Sequence, residues 1–147
     1  MQLTRHTDYS FRVLIYLGLN GANLVTIKEI ADSFGISKNH LMKVVHRLSQ
    51  LGYIKTVRGK GGGLALGMDP KDIPVGAIVR HMEDRLEVAE CFSSERNTCP
   101  ITRSCKLTGV FGQAMKGFLD TLDKYTLADV LCDKNKISDI LHAKSGG

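Results

Sequence analysis

Two short amphipathic segments meet at Gly35, and this pairing restricts the folds open to the chain more than any other feature of its 147 residues. Upstream, Thr26-Ile27-Lys28-Glu29 has the Thr-x-x-Glu form of a capping box, in which two side chains satisfy orphan backbone donors at a helix start. A helix follows, with Ile27, Ile30, Ala31 and Phe34 facing inward. Gly35 supplies a tight turn, Ile36 plugs the gap beneath it, and Ser37 is a good N-cap for a further helix burying Leu41, Val44, Val45 and Leu48. Gly52 ends that helix. Residues 26–51 thus read as helix, short turn, helix, the arrangement that lays the second helix in a DNA major groove.

The chain then changes period. Tyr53 to Val57 alternates and is β-branched or aromatic, Arg58 to Gly63 is basic and glycine-rich, and Leu64 to Leu66 resumes the alternation. This predicts a β-hairpin placed as a wing behind the helix-turn-helix, although a plain flexible turn has a similar composition. Charge supports the first reading. Ser33 to Met68 contains no Asp or Glu and carries Lys38, Lys43, Arg47, Lys55, Arg58 and Lys60, whereas the remaining 14 Lys and Arg face 15 acids. The net charge of +5 therefore belongs to one stretch, as expected of a nucleic-acid-binding face on a nearly neutral body. Lys38, Asn39 and His40 in the first turn of the second helix, with Lys43 one turn on, can donate to base edges or phosphates. Arg58 and Lys60 on the wing suit phosphates or a narrow minor groove.

The flanking segments complete a mostly α chain with a small β-hairpin. A first helix over Asp8 to Leu19 has Phe11, Leu14, Ile15 and Leu19 on one face, with Gly18 filling the fifth slot and Asp8 available as its N-cap. Asp69 to Pro74 reads as a linker, and Val75 to Met82 as a short helix with Ile78, Val79 and Met82 inward. Residues 84–105 have no sustained period and read as a loop that needs something to order it. From Cys105 on, Leu107, Phe111, Ala114, Phe118, Thr121 and Tyr125 recur at gaps of three and four, with Val110, Leu119 and Leu122 widening the stripe. This predicts a long dimerisation helix with a coiled-coil-like seam. A short helix over Thr126 to Leu131 follows, and 144–147 should fray. The expected units are a winged helix-turn-helix DNA-binding domain over 1–82, a cofactor loop over 83–105, and the dimerisation helix with the C-terminal segment over 106–147.

The longest apolar run, Val13 to Leu19, is too short to span a hydrocarbon core, and no secretory pattern precedes it, so a cytoplasmic protein without membrane contact is expected. In a reducing compartment, clustered cysteines point to metal, cluster or redox chemistry rather than to structural disulfides. Cys91, Cys99 and Cys105 form a C-x7-C-x5-C array in the aperiodic loop. With a fourth ligand from elsewhere, three thiolates hold an iron-sulphur cluster or zinc. The chain has no C-x2-C pair, which weakens the zinc reading, while a disulfide-forming sensor or inert thiols remain alternatives. Cys132 stands apart on the short helix and reads as a packed thiol.

The opening Met-Gln-Leu-Thr with Thr7-Asp8-Tyr9, the turn from Ile36 to Leu41, the wing from Val57 to Gly63, the three-cysteine loop, and the segment Asp123 to Asp129 together resemble the NsrR and IscR group of winged-helix iron-sulphur regulators. The resemblance covers nearly the whole chain and is more detailed toward the nitric-oxide-responsive repressors of that group. It implies a homodimer on a palindromic DNA operator, with Cys91, Cys99 and Cys105 as ligands of a 4Fe-4S or 2Fe-2S cluster, and nitric oxide as signal. It also implies Asp8, supplied by the partner subunit, as a fourth ligand. Thr108 stands where the IscR-like members place a ligating histidine, which favours the nitric-oxide branch. A redox, iron or cluster-status sensor of the same family is the alternative. No nucleophile-base pairing, phosphate loop or helical carboxylate pair is visible, so an enzyme is not expected.

Overall fold

The computed structural model describes residues 1–145. Helices α1 (Arg5–Asn20), α2 (Ile27–Phe34) and α3 (Lys38–Gln50) precede an antiparallel pair, β1 (Ile54–Val57) and β2 (Gly63–Leu66). Helices α4 (Val75–Met82), α5 (Lys106–Leu122), α6 (Leu127–Val130) and α7 (Lys134–Ser145) follow. None of these is long and apolar enough to cross a membrane.

The helix-turn-helix forms for the reasons its sequence suggests. Both halves of the capping box are made, with the Glu29 amide donating to Thr26 Oγ1 at 3.2 Å and the Thr26 amide to Glu29 Oε2 at 2.6 Å. Gly35 adopts φ +65° at the end of α2, and the Ser37 hydroxyl accepts from the His40 amide at 3.2 Å to start α3. Leu41, Val44 and Leu48 are at most 1% exposed and share one core with Leu14, Leu17, Ile30 and Ile78. Each such side chain contributes about 1.5–3 kcal/mol by leaving water.

Helix α1 starts earlier than Asp8. Thr4 is its N-cap and accepts from the Thr7 amide at 3.3 Å, so Asp8 lies inside the first turn and does not cap the helix. The fully buried stripe also differs from the expected one: it runs Thr7, Ser10, Val13, Leu14, Leu17 and Gly18, leaving Phe11, Ile15 and Leu19 half-buried. The stripe opens with two hydroxyl side chains that an apolar pattern overlooks. The Ser10 hydroxyl is satisfied within the helix, donating to the His6 carbonyl at 2.7 Å. At the far end, a Cβ on Gly18 would sit 2.4 Å from Leu131 Cδ1, so the glycine admits a leucine from the C-terminal segment.

The hairpin register runs from Ile54 opposite Leu66 to Val57 opposite Gly63. Its turn needs positive φ at Gly59 and Gly61 (+100° and +76°), which glycine supplies without steric cost. β2 also exchanges two backbone hydrogen bonds with Val25, 2.9 and 2.7 Å long, which fix the wing to the α1–α2 connection. The expected linker has more structure than its composition suggests. It contains a 3-10 turn, Pro70–Asp72, and ends at the fully buried Ile73. There the C-terminal segment docks: the Leu127 amide donates to the Ile73 carbonyl at 2.9 Å, and Leu127 and Leu131 enter the same core.

Helix α5 is anchored at its C-terminal end, where the Arg80 guanidinium donates to both Asp123 oxygens at 2.6 and 2.7 Å. A Cβ on Gly76 would fall 1.9 Å from Asp123 Oδ1, so α4 presents a gap where that carboxylate lies. Along its length, however, α5 buries no residue. Tyr125, the last position of the expected seam, lies beyond the helix and is exposed. Helix α7 was not anticipated; it packs against α2, with Leu141 buried. Of the stretch expected to fray, Lys144 is helical, and residues 146 and 147 lie outside the described residues.

Candidate functional site

Two sites emerge on opposite kinds of surface, one charged and open, the other apolar and recessed. In the first turn of α3, Lys38, Asn39 and His40 are exposed, as is Lys43, while Arg58 and Lys60 are exposed on the hairpin turn. Among the described residues, none of the six basic side chains between 33 and 68 takes part in an ion pair. The pairs formed lie elsewhere: Arg12–Asp8, Lys28–Asp32, Lys71–Asp69, Arg80–Asp123, Arg96–Glu87 and Lys116–Asp120. A row of unpaired cations on a helix start and a glycine-rich turn is suited to polyanionic DNA. The fold adds neighbours that sequence spacing did not single out. Arg5, His6 and Tyr9 of α1 line one cleft with His40, Lys43 and Val44 of α3.

The second site gathers the three cysteines. Cys91, Cys99 and Cys105 line a single recess of about 240 Å³, walled also by Ala89, Ile101, Leu107 and Phe111. The loop that carries them is cross-linked by its own polar side chains. The Cys99 amide donates to Asn97 Oδ1 at 3.1 Å, Asn97 Nδ2 donates to Thr102 Oγ1 at 3.0 Å, and the Thr102 hydroxyl donates to the Cys99 carbonyl at 2.9 Å. Two 3-10 turns, Glu90–Phe92 and Thr102–Ser104, bring the loop ends round.

Cys105 is the N-cap residue of α5, and its thiol is held below the ordinary cysteine value. The backbone amide of Thr108 is the main cause, followed by that of Leu107, against a smaller opposing effect of burial. A thiolate there accepts from the helix start, as a carboxylate does at an N-cap. The Thr108 hydroxyl acts in the same direction, yet it makes no formed hydrogen bond with the neutral thiol: Thr108 Oγ1 is buried without a partner. A buried hydroxyl left without a partner near Cys105 is unfavourable until something completes its hydrogen bonding.

These residues fit a sulphur-bound inorganic group. Among the described residues, no three His, Cys, Asp or Glu side chains converge so as to hold one metal ion. Thiolates on a single zinc must meet about 2.3 Å from a common point, whereas a polynuclear cluster distributes its ligands over separate irons. Three thiols around one recess supply the soft sulphur donors that either group takes. Asp8 is not among the residues lining the recess; it pairs with Arg12 at 2.8 Å and is half exposed. Cys132 is exposed in the turn before α7, so it is neither helical nor a packed thiol. It follows Leu131, the residue that faces the core.

Comparison with known proteins agrees with this architecture. The HTH-type transcriptional regulator NsrR of Bacillus subtilis is 50% identical over 145 residues, covering 98% of this chain and 99% of that protein. Its counterpart from Geobacillus kaustophilus is 44% identical over 147 residues, covering 99% of this chain and all of that protein. Among solved structures, T. potens IscR aligns with a TM-score of 0.73 at 28% identity, over 90% of this chain and 88% of that one. CymR, the global cysteine regulator of B. subtilis, aligns at 0.68 and 25%, over 88% of this chain and 95% of that one. The Rrf2 family model, described as iron-dependent transcriptional regulators, matches residues 3–133. The chain is therefore a member of the Rrf2 family of winged-helix, DNA-binding transcriptional regulators.

Proposed function

We propose that this regulator is a homodimeric repressor that holds an iron-sulphur cluster on Cys91, Cys99 and Cys105 and loses operator affinity when nitric oxide reaches it. The observation that carries the proposal is the meeting of all three cysteines in one apolar recess, beside an unpartnered Thr108 hydroxyl and at the start of α5. Such a cluster supplies iron open to attack by small reactive molecules. The chain's own residues do the rest. The Leu107 and Thr108 amides stabilise Cys105 as a thiolate, and Ala89, Ile101, Leu107 and Phe111 surround the sulphur atoms with apolar side chains.

Asp8 is proposed as the fourth ligand, supplied to the recess of the partner subunit. Its half exposure and its place on α1, away from its own chain's recess, support a role across an interface. The exposed Leu107 and Val110 on α5, 52% and 57% accessible, support that helix as the dimer surface. A tie between α1 of one subunit and the cysteine loop of the other sets the separation of the two α3 helices, which must match a whole number of DNA turns. Releasing the tie lowers operator affinity, and the regulated genes are then transcribed.

The test is operator binding by anaerobically purified protein before and after nitric oxide, for the wild type, Cys99→Ala and Asp8→Ala. The wild type should lose at least about tenfold in affinity, equivalent to about 1.4 kcal/mol. Both variants should bind weakly and respond little. Variants that bind and respond as the wild type does overturn the proposal. Unchanged binding after nitric oxide, with loss after oxidation or iron removal, favours a redox or iron sensor on the same scaffold.

A further inference from the structure

Base-reading side chains do not account for the whole cationic surface around α3. The cleft of about 220 Å³ between the first turn of α1 and the first turns of α3 is lined by Arg5, His6, Tyr9, His40, Lys43 and Val44, without a carboxylate. Arg5 and Lys43 are exposed, and among the described residues neither enters an ion pair. Arg5 and His6 are the first two residues of α1, where the helix dipole disfavours positive charge. The Arg5 charge, placed against the dipole and left unpaired, lowers stability slightly unless an anion completes it.

The cleft is also held in shape. The Tyr9 ring lies 6.3 Å from that of His40, which packs the first turns of α1 onto the start of α3. On the same helix, the Arg12 guanidinium sits 5.6 Å from the centre of the Tyr9 ring, and Asp8 holds that guanidinium at 2.8 Å. The cleft adjoins the turn that carries Lys38 and Asn39, so a duplex seated on α3 passes beside it.

We propose that this cleft seats a DNA backbone phosphate through Arg5, His6 and Lys43, as a contact separate from base reading by α3. Arg5 and Lys43 supply full charges, and the His6 ring supplies an N–H donor in either charge state. Because phosphates carry no base identity, the contact raises affinity for every sequence and fixes the angle of α1 on the duplex. The inference rests on the DNA-binding reading and extends it to α1.

The test uses the full chain with two duplexes, one selected by the wild type from a randomised library and an unrelated one of equal length. Arg5→Gln and His6→Gln are compared with Lys136→Gln, which removes one charge from α7. Arg5→Gln is expected to weaken binding to both duplexes by the same factor, and to lower the slope of log affinity against log salt by about 0.9 for each subunit, about 1.8 for a bound homodimer. His6→Gln should give a smaller, equally sequence-blind loss, and Lys136→Gln should change neither quantity. A wild-type slope for Arg5→Gln, a loss confined to the selected duplex, or an equal loss for Lys136→Gln overturns the phosphate seat while leaving DNA binding intact. A wild type that binds neither duplex overturns the DNA-binding reading as well.

Discussion

Helices α1 and α5 are nearly equal in length, 16 and 17 residues, and their surroundings differ sharply. α1 buries Thr7, Ser10, Val13, Leu14, Leu17 and Gly18 against α3, α4 and α6. α5 buries nothing, although Phe111, Met115, Phe118, Leu119 and Leu122 lie along it half-covered. The DNA-reading half thus completes its own core within one chain. The cysteine-bearing half has a helix with no buried residue, a recess lined by three cysteines and an unpartnered hydroxyl. The self-contained part carries the helix-turn-helix, and the part left uncovered carries the three cysteines.

Core truncation should separate the two halves most strongly. Leu41→Ala, at a fully buried site in α3, is expected to cost about 2–5 kcal/mol in denaturant unfolding, whereas Leu107→Ala, half exposed on α5, should cost less than about 1 kcal/mol. Equal losses would remove the distinction.

The sequence showed the reading half well because its signals are local. Thr26 and Glu29, Ser37, Gly35 and the glycine-rich turn each act within a few residues, and the structure keeps all of them in those roles. The array of Cys91, Cys99 and Cys105 was visible as spacing, but its shared recess depends on Asn97 and Thr102, whose hydrogen bonds have no pattern to read. The cap of α1 was missed for a different reason. Thr4 is held partly by Glu83, 79 residues away, which accepts from the Thr4 amide at 2.7 Å and from its hydroxyl at 3.0 Å. Val25 pairs with Leu64 as a single bridge, too short for any periodicity. Helix α7 went unseen because, of its apolar positions, Leu141 is buried and Ile140 is exposed, so no stripe stands out.

A second way to sharpen the comparison is to charge the uncovered face. Val110→Glu should weaken self-association by about tenfold or more in sedimentation, while leaving the unfolding of dilute, monomeric protein little changed. Unaltered association would place the dimer surface away from α5. A smaller effect is expected within the cysteine loop. Asn97→Ala removes hydrogen bonds to Cys99 and Thr102 and should lower local stability by about 1 kcal/mol, seen as faster amide exchange over 97–102 with the α3 amides unaffected.

The smallest effect concerns acid. Asp123 is held below the usual carboxylate range chiefly by its hydrogen bonds from Arg80, and Asp129 by those from the Thr126 amide and hydroxyl. A lowered carboxyl favours the folded state above its unfolded value of about 3.9, and this contribution fades as pH falls through the folded value. Both carboxylates are solvent-exposed, so the contribution is slight. The attachment of α5 and α6 to the core should loosen below about pH 4, measured as faster exchange over 119–131, and Asp123→Asn should remove part of that pH dependence. A pH dependence identical to wild type in Asp123→Asn would show that the Arg80 pair does not fasten α5.

The most direct measurement is the iron and acid-labile sulphide content of protein purified without oxygen, with its visible absorption recorded for the wild type and for Cys91→Ala. The account predicts stoichiometric iron and sulphide with a coloured spectrum in the wild type, and loss of both in the variant. Colourless wild-type protein carrying zinc or only free thiols, even after supply of iron and sulphide, would contradict it.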